Sequence, residues 1–147
     1  MAQSTLFVLN GPNLDLLGQR EPEIYGSDTL ADVEALCRAE AKAAGFALRF
    51  HQTNAEHEMI GWLHEARIGA AGIVINGAAF SYSGYPTLDA LKMCDCPIVE
   101  VHISNIHRRE EWRAKSLFTQ AATGMITGLG THGYVLAVRH ILKLRGK

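Results

Sequence analysis

Leu6-Phe7-Val8-Leu9, continuing into Asn10-Gly11-Pro12-Asn13-Leu14-Asp15-Leu16-Leu17-Gly18-Gln19-Arg20-Glu21-Pro22-Glu23-Ile24-Tyr25-Gly26, is the stretch that decides the fold. Four consecutive apolar residues read as a buried strand, and a helical pattern begins at Thr29. What lies between is then the loop at the carboxyl end of a first parallel strand, where ligands bind in open α/β sheets. Such connections usually span about 2 to 6 residues, and much longer ones tend to be lids or binding loops. This one carries Arg20 and Tyr25 among glycines able to act as pivots. A phenol ordinarily titrates near 10. Making it a base near neutrality takes roughly 4 kcal/mol of preferential stabilisation of the phenolate, which neighbouring cations can supply. A plain surface loop, with a solvated arginine and a packed tyrosine, is the alternative for this segment taken alone.

Outward from that loop, strand and helix alternate. Thr29 to Ala44 places Leu30, Val33, Leu36 and Ala43 at helical spacing, with Ser27, Asp28 or Thr29 as N-cap and Gly45 as the stop. Phe46 to Gln52 alternates apolar and polar, as a strand nearer a sheet edge does. Glu56 to Ile68 is a helix with a stripe of Met59, Ile60, Leu63 and Trp62. Gly72-Ile73-Val74-Ile75-Asn76 has the continuous apolar character of a central strand covered on both faces. A small-residue loop from Gly77 to Gly84 precedes a helix near Thr87 to Met93. Pro97 to His102 is the fourth strand, Met125 to Gly128 a short fifth, and Thr131 to Leu144 the last helix. Five βα units with short connections predict a single α/β domain over residues 1–147: a flavodoxin-like, doubly wound sheet of five parallel strands with helices on both faces. Polar residues gather at the carboxyl ends of the strands: Asn10 and Asn13, then Asn76, then His102, Ser104 and Asn105. Stability alone does not ask for that.

Composition narrows the function classes. With a formal net charge of −1 and interspersed charges, no face is expected to carry the basic field that nucleic acid or anionic membrane requires. No apolar run reaches the roughly 20 residues of a membrane span, and the N-terminus lacks a signal-peptide pattern, so a cytoplasmic protein is expected. Cys37, Cys94 and Cys96 form no C-x-x-C pair and read as reduced thiols. His51, His64, His107, His132 and His140 show no close ligand spacing, and no metal site is expected. Gly128-Leu129-Gly130-Thr131-His132-Gly133 fits G-x-G-x-x-G, but it follows a late, short strand. The acidic residue expected about 20 positions on would fall beyond the last residue, so the glycines read as helix–sheet packing.

A second constellation runs from Glu100 to Arg113. Glu100 and His102 are two apart, on the same side of a strand, so the carboxylate can orient the imidazole as a proton donor. Arg109 and Arg113 are four apart, on one face if the segment is helical, and can hold a carboxylate; a solvated face paired with Glu110 and Glu111 is the plainer alternative. Glu100 in an apolar strand needs a partner in either case.

Over nearly its whole length the chain resembles the type II 3-dehydroquinate dehydratases. The resemblance rests on Leu9 to Leu14, Leu17 to Pro22 with Tyr25-Gly26, Gln52-Thr53-Asn54, Glu100 to Arg113, and Thr123-Gly124 through Gly128-Leu129-Gly130 to Gly133-Tyr134. It implies a flavodoxin-like lyase without metal or cofactor that removes the proton beside the ring ketone of 3-dehydroquinate, forms an enolate and expels water to give 3-dehydroshikimate. It further implies Tyr25 as base, with Arg20 on a mobile loop and Arg109 favouring its phenolate. Asn13 would hold a water on the enolate oxygen, and His102, oriented by Glu100, would be the acid. Asn76, Ile103, Ser104 and Arg113 would bind the substrate. Asp89 would reach into a neighbouring subunit's site, in a homo-oligomer built from trimers, usually a dodecamer.

Two positions depart from the family's pattern. Tyr82 stands where a substrate-binding histidine is usual; it can donate a hydrogen bond and should line the pocket, but it lacks an imidazole acceptor. His57 stands where glycine is usual and is strained if that position needs a positive φ; a solvent-facing residue in the first turn of a helix is the plainer reading. Three functions follow: the dehydratase, a paralogous lyase acting on a related cyclic hydroxyketone acid, and a non-catalytic flavodoxin-like binding module. The last has no use for an opposed base and acid.

Overall fold

Alternation along the first strand sets up the layers. In β1 (Thr5–Asn10), Leu6 and Val8 enter one buried cluster while Phe7 and Leu9 enter another, on opposite sides of the sheet. β2 (Ala47–Gln52), β3 (Gly72–Asn76), β4 (Ile98–His102) and β5 (Gly124–Thr127) join it in the order β2-β1-β3-β4-β5, every pair parallel. This is the flavodoxin-like order. The computed structural model describes residues 4–146, so Met1–Gln3 and Lys147 of the expected domain lie outside the described residues.

The helices are α1 (Pro22–Tyr25), α2 (Leu30–Ala43), α3 (Glu56–Ala66), α4 (Phe80–Ser83), α5 (Tyr85–Lys92) and α6 (His132–Leu144). α2 and α6 bring Val33, Cys37, Ala41, Ala137, Val138 and Ile141 onto Leu6, Val8, Val74 and Val101. α3 and α5 bring Met59, Leu63, Leu88 and Leu91 onto Phe7, Leu9, Ile73 and Ile75 on the other face. Each large aliphatic side chain so buried is worth about 1.5–3 kcal/mol, which is why the sheet is covered twice. β2, the alternating strand, is at the edge as expected.

Local chemistry sets the boundaries, and some differ from the sequence expectation. Of the three candidate caps of α2, Thr29 serves: its hydroxyl accepts from Asp32 N and the Asp32 carboxylate accepts from Thr29 N at 2.9 Å. The loop expected from Gly77 to Gly84 contains the single turn α4, and α5 begins at Tyr85 rather than Thr87, because Pro86 is tolerated in a first helical turn. Residues 105–121 do not form the helix that would put Arg109 and Arg113 on one face. They form three 3₁₀ turns, Ile106–Arg108, Glu111–Ala114 and Phe118–Gln120, with Arg109 extended between the first two. Gly133 lets α6 approach the sheet: a Cβ there would lie 3.2 Å from Ile126 Cγ2 and 3.4 Å from Val101 Cγ1.

The chain passes from β1 to β2 on one side, while β3 lies on the other, so a crevice opens between the carboxyl ends of β1 and β3. There the two backbones touch. Gly11 N donates to Asn76 O at 2.9 Å, and a Cβ on Gly11 would lie 2.1 Å from Gly77 O. The three cysteines are free thiols, and burial pushes the Cys37 thiol up to about 12. Among the described residues, no helix is long and apolar enough to cross a membrane.

Candidate active site

The floor of the crevice is a chain of buried amides. Asn10 and Asn76 end adjacent strands side by side, and both face Tyr134 of α6, which is fully buried. The Tyr134 hydroxyl donates to Asn10 Oδ1 at 2.7 Å and accepts from Asn76 Nδ2 at 2.8 Å. Asn76 Oδ1 accepts from Ala78 N at 3.2 Å, and Asn10 Nδ2 donates to His51 O at 3.0 Å. Burial pushes the Tyr134 phenol well above its ordinary value, so it stays a hydroxyl able to serve both amides.

On β4, Glu100 and His102 project to the same side of the sheet, as their spacing requires. Glu100 is fully buried, and its Oε2 lies 2.6 Å from His102 Nε2. Burial alone would raise the carboxyl. Hydrogen bonds from His102, Ser116 and Thr119, with the charge of His102, outweigh it and hold Glu100 below the usual carboxylate value.

Tyr25, at the end of α1, lines the same pocket as His102. Arg109 Nη1 donates to the Tyr25 hydroxyl at 2.8 Å and to Ser104 Oγ at 3.2 Å. The Arg20 guanidinium lies over the same ring, 4.8 Å from its centroid, and that of Arg109 at 5.2 Å. Tyr82, on α4, meets Trp112 edge-to-face with centroids 5.0 Å apart, and Arg113 stacks on Trp112 at 4.3 Å. Burial pushes the Tyr82 phenol up to about 12. Glu110 lies between the two arginines, 3.7 Å from Arg109 Nε and 3.2 Å from Arg113 Nε, so part of the plain ion-pair reading is realised alongside the pocket.

Asn13, Arg20, Tyr25, Asn76, Tyr82, His102, Ile103, Ser104, Arg109 and Arg113 all line this one pocket, with Glu100 behind His102. Asp89 is not brought to it; it is exposed on α5. Among the described residues, the non-glycine residues with positive φ are Asn13 (70°), Glu21 (41°) and Ala78 (49°). Asn13 and Ala78 line the pocket, and Glu21 follows Arg20. Left-handed backbone costs an alanine or glutamate about 1–2 kcal/mol, so the strain of this chain is gathered at the site. Gln52-Thr53-Asn54 braces the loop: Asn54 Oδ1 accepts from Asn13 N at 2.9 Å, and Gln52 Nε2 donates to Gly11 O at 3.1 Å. His57 needs no positive φ; it is exposed in the first turn of α3.

Ser116, Thr119 and Tyr134 are the polar residues that the sequence reading did not assign to the site. A buried carboxylate demands donors, and the hydroxyls of Ser116 and Thr119 shortly after Glu100 were the available signal. Among the described residues, no three His, Cys, Asp or Glu side chains converge as metal ligands would.

A flavodoxin-like sheet with a guanidinium-bound phenol and a carboxylate-backed imidazole lining one pocket holds the groups that acid–base chemistry uses. Comparison with known proteins then fixes the family. The profile of the family described as dehydroquinase class II matches residues 4–142, and the chain belongs to that family. It is 57% identical over 141 residues to a 3-dehydroquinate dehydratase of Methylobacterium radiotolerans, covering 96% of this chain and 95% of that one. With a 3-dehydroquinate dehydratase of Streptomyces coelicolor it shares 55% identity over 147 residues, covering 99% and 94%. The crystal structure of a type II dehydroquinase from Propionibacterium acnes superposes with a TM-score of 0.91 at 41% identity, covering 97% of this chain and 99% of that one.

Proposed function

We propose that this chain dehydrates 3-dehydroquinate to 3-dehydroshikimate by base, enolate and acid steps divided between the two sides of the pocket. Tyr25, as phenolate, takes the proton from the carbon beside the ring ketone. The guanidinium of Arg109, bonded to its oxygen, and that of Arg20, over its ring, stabilise the negative charge. The electron pair moves into the ketone, and a water held by Asn13 hydrogen-bonds the enolate oxygen as its charge develops. Because Nε2 of His102 is engaged by Glu100, the proton delivered to the departing hydroxyl is the one on Nδ1. The C–O bond breaks, water leaves, and the enolate pair returns to form the conjugated enone.

Asn76, Tyr82, Ile103, Ser104 and Arg113 hold the ring hydroxyls and carboxylate, and no metal or cofactor enters the scheme. Asp89, exposed on α5, completes the site of a neighbouring copy in an assembly of trimers forming a dodecamer. Residues 1–147 act as one catalytic domain in the cytoplasm, in aromatic biosynthesis or quinate breakdown. The observation that carries the reading is the opposed pair: Tyr25 bonded to Arg109 at 2.8 Å, and His102 bonded to Glu100 at 2.6 Å, lining one pocket.

One feature favours a second reading, a lyase on a related cyclic hydroxyketone acid. Tyr82 offers a neutral phenol where the family usually offers an imidazole, and burial keeps it neutral. The test is the ultraviolet absorbance of the conjugated enone when 3-dehydroquinate meets the purified protein without added metal or cofactor. We expect turnover that Tyr25→Phe removes while the circular dichroism spectrum and oligomer size stay unchanged. Unaltered turnover in the variant overturns the base assignment; absent turnover in the parent directs the assay to ring analogues.

A further inference from the structure

Glu100 has an unusual environment for a carboxylate. It is fully buried, and among the described residues no lysine or arginine pairs with it. Its oxygens instead take three donors. Oε2 accepts from His102 Nε2 and from Ser116 Oγ, and Oε1 accepts from Thr119 Oγ1 at 2.6 Å. Both hydroxyls come from the segment after β4, three residues apart, where the 3₁₀ turn Phe118–Gln120 folds back over the strand. The Ser116 hydroxyl is itself aimed. Its oxygen accepts from Phe118 N at 3.3 Å, which leaves its proton for Glu100. The same segment is tied to α4, which carries Tyr82, because Leu117 N donates to Ser81 O at 2.7 Å. The titratable and charged groups that share the pocket with His102 are Tyr25, Tyr82, Arg20, Arg109 and Arg113. None of them donates to the Glu100 carboxylate.

We infer that Ser116 and Thr119 are positioning residues for proton delivery: their hydroxyls keep the buried Glu100 carboxylate ionised and aimed at His102, which fixes the imidazole with Nδ1 toward the pocket. A buried carboxylate without donors is driven to its neutral form. A protonated Glu100 no longer supports the positive charge on the imidazole and competes for the same hydrogen bond. The two hydroxyls therefore act on the reaction through Glu100 and His102 without touching the substrate. This rests on the reading of His102 as the acid.

The test uses the full chain with Thr119→Val, Ser116→Ala, the double variant, Thr119→Ser and His102→Ala, assayed on 3-dehydroquinate across pH. One hydrogen bond to a charged group supports an expected fall in kcat of about ten-fold for Thr119→Val, with KM within about two-fold. The acidic limb of the kcat profile should move up by about one pH unit, because Glu100 then takes a proton more readily. Thr119→Ser should restore both. In the His102→Ala background, Thr119→Val should cost nothing further, since the hydroxyl has no imidazole left to serve. An unmoved acidic limb in the folded double variant, or an equal loss in the presence and absence of His102, overturns the inference. Full activity of His102→Ala would instead overturn the assignment of the acid, a result that Thr119→Val cannot produce.

Discussion

Replacing Tyr134 with phenylalanine deletes one oxygen from the floor of the crevice and leaves one polar atom of each of two amides, Asn10 Oδ1 and Asn76 Nδ2, without that partner. In the intact protein that oxygen donates to Asn10 Oδ1 and accepts from Asn76 Nδ2, at 2.7 and 2.8 Å, in a place closed to water. The ring fills the same space in the variant, so the cost lies in the orphaned polar atoms rather than in a cavity. Each unsatisfied buried group costs about 1–3 kcal/mol, which puts the variant with its two orphaned atoms about 2–6 kcal/mol below the parent. For a chain of this size each kcal/mol lowers Tm by about 2–4 °C, so a fall of about 4–24 °C is expected by thermal circular dichroism. Both proteins must be compared at one concentration, because any self-association would add to apparent stability. Asn76 should also lose its orientation, which raises KM for 3-dehydroquinate more than it lowers kcat. A Tm within about 2 °C of the parent, with KM unchanged, refutes the account of the floor as a connected polar unit.

Other perturbations read other parts of the site. Arg109→Met removes the charge-assisted bond to Tyr25, and about 1.5–3 kcal/mol for such a bond predicts a kcat reduced about 10- to 100-fold; a loss under three-fold contradicts the contact's role. Tyr82→His should lower KM for 3-dehydroquinate if the phenol only weakens a substrate contact, whereas an unchanged KM in steady-state assays points to a pocket shaped for another ring acid. Acid stability follows from Glu100, whose carboxyl is held below the ordinary 4.5. Its contribution is complete above that value and is lost as pH falls through the depressed folded one. Denaturant titrations from pH 6 down to pH 3 should therefore show a steeper loss in the parent than in Glu100→Gln, and parallel curves would exclude this source.

The sheet was legible because its inner strands are apolar runs and its edge strand β2 alternates apolar with polar. Gly72 to Asn76 has the continuous apolar character of a strand covered on both faces, and every predicted strand lies within a residue or two of the observed one. Short-range geometry was harder to read. Asn105 to Gln120 breaks into 3₁₀ turns, because what places Arg109 is its bond to a tyrosine 84 residues away rather than a local period. The left-handed backbone at Ala78 and Glu21 could not be read from residue type, since neither favours it and the crevice imposes it. Glu100 and His102 were identified as a pair from their spacing alone. The hydroxyls that hold Glu100 were not, because their one signal, closeness in sequence to a buried carboxylate, does not say that the chain folds back to bring them onto it. Asp89 does not line the pocket, and nothing in its spacing within α5 marks it as a site residue.

The contact between Gly11 and Gly77 limits how this pocket can be redesigned. With 2.1 Å between a would-be Cβ and a carbonyl oxygen, even alanine at position 11 would force the ends of β1 and β3 apart, and the amide floor with them. A library aimed at new ring acids should therefore leave the floor untouched and vary the two arms above it, at Tyr82 and Trp112 and at the loop positions between Gly18 and Gly26 other than Arg20 and Tyr25. Those positions can change the shape offered to a ligand without moving the strand ends that carry Asn10 and Asn76.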